Sequence, residues 1–250
     1  MVPAGPSVSP ERFDAVLFDL DGVLTATAKV HAACWKRTFD DFLQRRAHRS
    51  NEPFRPFDLQ ADYEDYVDGK PRYDGVRSFL ESRGLQLPQG NPDDPPARET
   101  VCGLGNRKDD LFGQILKAEG VEVFPGSVAW LRQLRQAGIK TAVVSSSRHC
   151  LAVIQAAGIS DLFDARVDGQ VADDLKLAGK PAPATFLQAA QMLGVQPPRA
   201  VVVEDALAGV QAGRNGGFGL VIGVDRKGDA DALRAHGADV VVSDLKEMLS

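Results

Sequence analysis

Five short apolar runs limit what this chain can fold into: residues 15–18 (AVLF), 141–144 (TAVV), 200–203 (AVVV), 220–224 (LVIGV) and 239–242 (DVVV). Each is bounded by turn or charged residues, the pattern of strands buried on both faces of a parallel sheet. Helical patterns alternate with them. Residues 127–137 open on Ser127 as an N-cap and stop at Gly138; residues 149–157 stop at Gly158, 182–193 at Gly194, and 207–214 before Asn215-Gly216-Gly217. Strand and helix in alternation predict βαβ units and an α/β, doubly wound parallel-sheet core.

One stretch breaks the alternation. Between the first run and the second, residues 29–46, 73–83 and about 98–118 carry helical periodicity without a buried strand, separated by Pro- and Asp-rich loops at 53–62 and 87–97. This predicts an inserted, all-helical cap domain over 27–119, with linkers near 24–28 and 118–125, leaving 11–26 and 120–250 as the core domain. Phe39, Phe42, Phe54 and Phe57 are assigned to the core of the cap, and His48 and His236 to the surface.

A chain of 250 residues is long enough for such a core with one smaller domain. Its net charge of −5 argues against nucleic acid or an anionic membrane as the main partner. No apolar run approaches the ~20 residues that a membrane helix needs. Residues 1–10 are Pro/Ser/Gly-rich, lack the features of a signal peptide, and read as a disordered tail; the expected location is cytoplasmic. Cys34, Cys102 and Cys150 are far apart and read as small buried hydrophobes. The absence of an obvious apolar interaction stripe suggests a monomer.

In an open parallel sheet, ligands bind outside the carboxyl ends of the strands. The first run ends in Asp19-Leu20-Asp21-Gly22, the second in Ser145-Ser146-Ser147, and the third in Glu204-Asp205. Lys180, within Gly179-Lys180-Pro181-Ala182-Pro183, can reach the same edge. Crowded carboxylates repel unless a cation sits among them, and an all-oxygen set without His or Cys selects magnesium over zinc. A carboxylate facing a bound phosphate can become an aspartyl-phosphate, and a second carboxyl can move the proton. A hydroxyl and a lysine can hold the phosphoryl oxygens. Taken singly, Asp19 also reads as a turn or cap residue, Ser145 as a turn residue and Lys180 as a solvated charge; agreement among four segments favours the chemistry.

These four segments resemble the motifs of the haloacid dehalogenase superfamily: Asp19-Leu20-Asp21-Gly22-Val23-Leu24-Thr25, Val144-Ser145-Ser146-Ser147, Gly179-Lys180-Pro181 and Val203-Glu204-Asp205-Ala206. Within it the chain is most similar to the β-phosphoglucomutase family, through Thr27-Ala28-Lys29-Val30-His31 with Trp35, Val67-Asp68-Gly69-Lys70-Pro71-Arg72, and Asn106-Arg107-Lys108. The resemblance implies Asp19 as nucleophile, Asp21 as general acid/base, and a Mg2+ site on Asp19, the Asp21 carbonyl, Glu204 and Asp205. It further implies that Ser145, Ser147 and Lys180 bind the transferring phosphoryl group and that His31 couples Asp21 to cap closure. Thr27, Gly69, Arg72 and Lys108 would bind the sugar phosphate, Arg72 gripping the phosphate that is not transferred. Departures stand at Ala26, Gly75 and Ala206, at Arg148-His149, and in longer loops at 47–61 and 86–97. Arg148 and His149 occupy a place near the phosphate; His149 reads equally as a contact or as an exposed residue opening a helix.

The implied activity is interconversion of β-glucose 1-phosphate and glucose 6-phosphate, with a phosphorylated hexose as the partner molecule. A magnesium-dependent sugar phosphatase shares the first half-reaction and is the alternative. A non-catalytic phosphate-sensing module fits less well, since it would not need the inserted cap. A dinucleotide-binding dehydrogenase lacks its glycine fingerprint here.

Overall fold

The computed structural model describes residues 8–249. Residues 1–7 of the stretch expected to be a disordered tail lie outside that range. The chain divides into two compact units: Thr27–Gly120 forms one, and the described residues up to Ala26 together with those from Val121 onward form the other.

The discontinuous unit is built on a six-stranded, wholly parallel sheet. In chain order its strands are β1 (Ala15–Phe18), β2 (Lys140–Val144), β3 (Ala165–Val167), β4 (Ala200–Glu204), β5 (Leu220–Val224) and β6 (Val240–Val242), arranged β3-β2-β1-β4-β5-β6. Every residue of β1, β4 and β5 is buried, as expected of strands covered on both faces. The two-residue alternation of the strands divides the core. Ala15, Leu17, Ala142, Val144, Ala200 and Val202 pack with Phe186, Ala189, Ala190 and Leu193 of the helix Ala184–Leu193. From the other face, Phe18 meets Trp130 of the helix Pro125–Gln136 edge-on, with ring centroids 5.5 Å apart.

β3 was not expected from the sequence. Its three residues, Ala-Arg-Val, carry a charge at the centre and are too short to show a period; β2 supplies its order by pairing Ala142, Val143 and Val144 with Ala165, Arg166 and Val167. Ser127 is also corrected. The helix starts at Pro125, Phe124 is its N-cap, and the Ser127 hydroxyl donates 2.7 Å to the Val23 carbonyl. Proline is pre-organised for a first helical position and so moves the start upstream.

The helical unit contains α1 (Thr27–Ser50), α2 (Ala61–Tyr66), α3 (Arg72–Ser82) and α4 (Val101–Glu119). On α1, Thr27, His31, Cys34, Trp35, Thr38, Phe39 and Phe42 are buried, a stripe at three- and four-residue spacing. Phe39 sits at the centre of the core, 4.1 Å from Phe79, 5.1 Å from Trp35 and 5.3 Å from Phe57 between ring centroids. Phe54 does not join it and is 42% exposed, because it lies in the loop before α2 and not on a helix face. The start of α2 replaces the end of the loop expected over 53–62. There Asp58 accepts from the main-chain N–H groups of Gln60 and Ala61 and nucleates the turn. His48 and His236 are exposed, and all three cysteines are buried.

Candidate active site

β1 lies between β2 and β4 with Phe18 opposite Val143 and Val203. The next residues of three neighbouring strands therefore leave the sheet together at its carboxyl edge. The Asp19 N–H still donates to Val203 at 2.9 Å, which fixes where its side chain begins.

Lys180 is the organising charge. Its ammonium donates to Asp19 Oδ1 at 2.5 Å, Glu204 Oε1 at 2.6 Å and the Val144 carbonyl at 3.3 Å, while the residue is only 3% exposed. It is not a solvated loop charge. Burial alone would lower its pKa, but the charges of Asp19 and Glu204 outweigh that and hold the ammonium protonated well above its ordinary range. Asp19 is pushed the other way from an ordinary surface carboxylate: burial raises its pKa more than Lys180 lowers it, and the charges of Glu204 and Asp21 add to the rise. The same cause lies behind both shifts. More negative than positive charge is gathered in a place with little water, so the cluster retains protons or welcomes another cation.

Glu204 is held on its other oxygen, which accepts from the N–H groups of Asp205 and Ala206, each at 3.0 Å. These main-chain donors lead into the helix Leu207–Asn215, so the carboxylate satisfies groups left unpaired at a helix start. Asp19, Glu204 and Asp205 each offer an oxygen, all within 4.8 Å of one another. Two glycines make the close approach possible. A Cβ on Gly22, whose φ is +96°, would lie 1.9 Å from Asp205 Oδ2, and one on Gly209 would lie 1.8 Å from Glu204 Oε1. Gly209 carries no sequence signal beyond being a glycine in the first turn of a helix. The donor set is entirely oxygen, small and anionic, and fits a hard divalent cation.

Asp21 and Ser145 meet beside this cluster. Ser145 Oγ donates to Asp21 Oδ2 at 3.1 Å and accepts from the Ser147 N–H at 3.1 Å. Ser147 Oγ accepts from the His149 N–H at 3.2 Å and so shapes the turn into the helix Cys150–Ala156. Arg148 is exposed and donates from Nε to Asp173 at 2.9 Å. His149 is half-buried at the helix start, so it is not the exposed residue that one reading expected.

The other expected binding residues belong to the helical unit. Thr27 is the first residue of α1 and is buried. His31 stacks on Phe112 at 4.0 Å, with Nδ1 against the Lys108 ammonium. Lys108, 5% exposed, also lies over the rings of Trp35 and Phe112, at 5.3 and 5.1 Å. Arg72 pairs with Asp109 at 2.5 Å and stacks on Tyr73 at 4.9 Å; Gly69, at φ +70°, makes the turn before it.

The haloacid dehalogenase-like hydrolase model matches residues 13–217. A β-phosphoglucomutase of Mycobacterium tuberculosis is 53% identical over 243 residues, covering 96% of this chain and 93% of that protein. A β-phosphoglucomutase of Bacillus subtilis is 32% identical over 235 residues, covering 94% and 91%. The crystal structure of β-phosphoglucomutase from Clostridium difficile shares the fold at a TM-score of 0.73 and 24% identity, covering 95% of this chain and 93% of that one. With four motif segments gathered at one sheet edge and a family match over most of its length, the chain belongs to the haloacid dehalogenase-like hydrolase family.

Proposed function

We propose that this enzyme is a β-phosphoglucomutase, interconverting β-glucose 1-phosphate and glucose 6-phosphate through an aspartyl-phosphate and glucose 1,6-bisphosphate. The reading rests above all on the 53% identity to a β-phosphoglucomutase along 96% of the chain, and the geometry around Lys180 supplies its chemistry.

Asp19 is the nucleophile: its carboxylate oxygen attacks a phosphorus atom of the bisphosphate and becomes an acyl phosphate. Lys180 keeps its charge and stays beside the oxygens on which negative charge builds. Ser145 offers a hydroxyl to the same group. Asp21 gives its proton to the departing sugar oxygen. The bound monophosphate then presents its free hydroxyl, Asp21 takes that proton back, and the phosphoryl group leaves Asp19 for the sugar. Asp19, Glu204 and Asp205, with the main-chain carbonyl of Asp21, would hold magnesium, which when bound neutralises charge between carboxylates and phosphate. On the helical unit, Arg72 and Lys108 are the candidate cations for the phosphate that is not transferred, and Thr27, His31 and Gly69 for placing the sugar. Ser147 is assigned to the transferring group, and Arg148 and His149 to its surroundings.

Purified protein supplied with magnesium, β-glucose 1-phosphate and a trace of glucose 1,6-bisphosphate should produce glucose 6-phosphate. Release of inorganic phosphate without glucose 6-phosphate would reject the mutase.

A further inference from the structure

Arg226 follows β5 and belongs to none of the four motifs, yet its side chain turns back onto the segment that carries Asp19 and Asp21. Nε donates to the Gly22 carbonyl at 2.8 Å, and Nη2 approaches the Val23 carbonyl at 3.5 Å. Nη1 donates to the Ser243 carbonyl at 3.1 Å, with Asp244 at 3.8 Å. The guanidinium lies over Phe124, its Cζ 3.7 Å from the ring centroid, and the side chain is 17% exposed. Burial lowers its pKa somewhat, though an arginine so placed remains charged.

Two of the segments it touches lead to and from the helical unit. Leu24 accepts from the Phe124 N–H at 2.9 Å, Thr25 bridges Val123 in antiparallel fashion, and the Ala26 N–H donates to Glu122 at 2.9 Å. Arg226 thus grips both strands of a short ribbon: the first through carbonyls, the second through an aromatic face. Its own base is firm, since Asp225 Oδ1 accepts from the N–H groups of Lys227, Gly228 and Asp229.

We infer that Arg226 is a positioning residue for phosphoryl transfer, fixing the main chain just after Asp21 so that the acid/base carboxyl and the Asp21 carbonyl hold their places relative to Asp19. A lysine could meet one carbonyl, but it lacks the planar fork that serves two carbonyls while lying on a ring. The cost of losing it should fall on the chemical step, because a displacement of about 1 Å at reacting groups can slow a reaction on the order of 100-fold.

The inference rests on Asp19 and Asp21 acting as proposed, and its test is read before any acceptor is chosen. Wild type, Arg226→Gln and Arg226→Lys are mixed with magnesium and glucose 1,6-bisphosphate, and phosphorylation of Asp19 is followed by rapid quench alongside Tm, kcat and KM. Arg226→Gln should remain folded, keep KM within about threefold, and phosphorylate Asp19 roughly 10- to 100-fold more slowly, with Arg226→Lys in between. A folded Arg226→Gln with the wild-type rate, or a loss carried by KM alone, overturns the inference. Should Arg226→Gln fail to fold, Arg226→Lys decides by the same criterion: slower phosphorylation at unchanged KM upholds it, and the wild-type rate overturns it. A wild-type protein that forms phosphoenzyme but no glucose 6-phosphate would defeat the mutase and leave this comparison readable.

Discussion

Lys180 and Asp19 form a buried ion pair, Nζ to Oδ1 2.5 Å, in which neither side chain is more than 10% exposed. Glu204, 2.6 Å from the same ammonium, is buried as deeply. Lys180→Met removes the one cation shared by two carboxylates. Breaking a buried pair from one side costs about 3–5 kcal/mol, so the variant should melt well below wild type in the presence of a chelator. Magnesium should raise its Tm more than it raises that of wild type, because the added cation replaces the lost charge. Equal melting of both proteins in chelator would contradict the account of Lys180.

Gly22→Ala tests the cradle around Asp205. The added methyl would sit 1.9 Å from Asp205 Oδ2 on a backbone at φ +96°, so both the carboxylate and the main chain must shift. Left-handed backbone costs an alanine about 1–2 kcal/mol. Weaker magnesium affinity by calorimetry should accompany the loss of stability. Unchanged affinity would show that Asp205 is free to move without consequence.

Asp19→Asn should abolish phosphoryl transfer while leaving the far-ultraviolet circular dichroism spectrum intact. Asp21→Ala should retain a slow reaction, reduced by the ~100- to 10,000-fold typical of general acid/base loss. Phosphoenzyme detected by mass spectrometry in Asp19→Asn would remove the nucleophile assignment.

Asp225 offers a pH test. Burial would raise its pKa, but main-chain donors at Asp229, Gly228 and Lys227 outweigh that and hold the carboxyl below its ordinary value. A depressed folded pKa contributes stability above the unfolded value near ~3.9, and this contribution is lost as pH falls through the folded value. Asp225→Asn should therefore destabilise more at neutral pH than at about pH 3 in denaturant titrations. A penalty independent of pH would mean that the carboxylate charge is not what organises the turn.

Thr38 places a fully buried hydroxyl in the helical unit with no hydrogen-bond partner among the described residues. An unsatisfied buried polar group costs about 1–3 kcal/mol. Thr38→Val should raise Tm and leave kcat unchanged; a lower Tm would show that the hydroxyl is satisfied in solution.

Much of the site was legible because a parallel sheet turns linear order into spatial adjacency. Once 15–18, 141–144 and 200–203 are read as neighbouring strands, Asp19, Ser145 and Glu204 must leave from one edge, and the register bears this out. Lys180 was legible as a candidate but not as a buried charge, since its environment is set by residues far away in sequence. β3 escaped because three residues cannot display a period, and Arg166 at its centre masks the apolar signal. Ser127 misled for a local reason: it resembles an N-cap, but its hydroxyl is committed to Val23, 104 residues earlier in the chain. Arg226 was invisible for the same reason, its partners being carbonyls, which every residue type possesses.

The position of β1 in the sheet has a consequence for how the polypeptide is made. This strand is synthesised first among the six, yet its partners on either side are β2 and β4, which follow the whole of the helical unit. As the chain leaves the ribosome, the helical unit emerges as one continuous piece, while the apolar ribbon Ala15–Phe18 waits with both edges open. Non-local pairing of this kind is slow and exposes sticky surface in the interval. The first few residues of the sheet are thus the part of the nascent protein most in need of a chaperone's shelter.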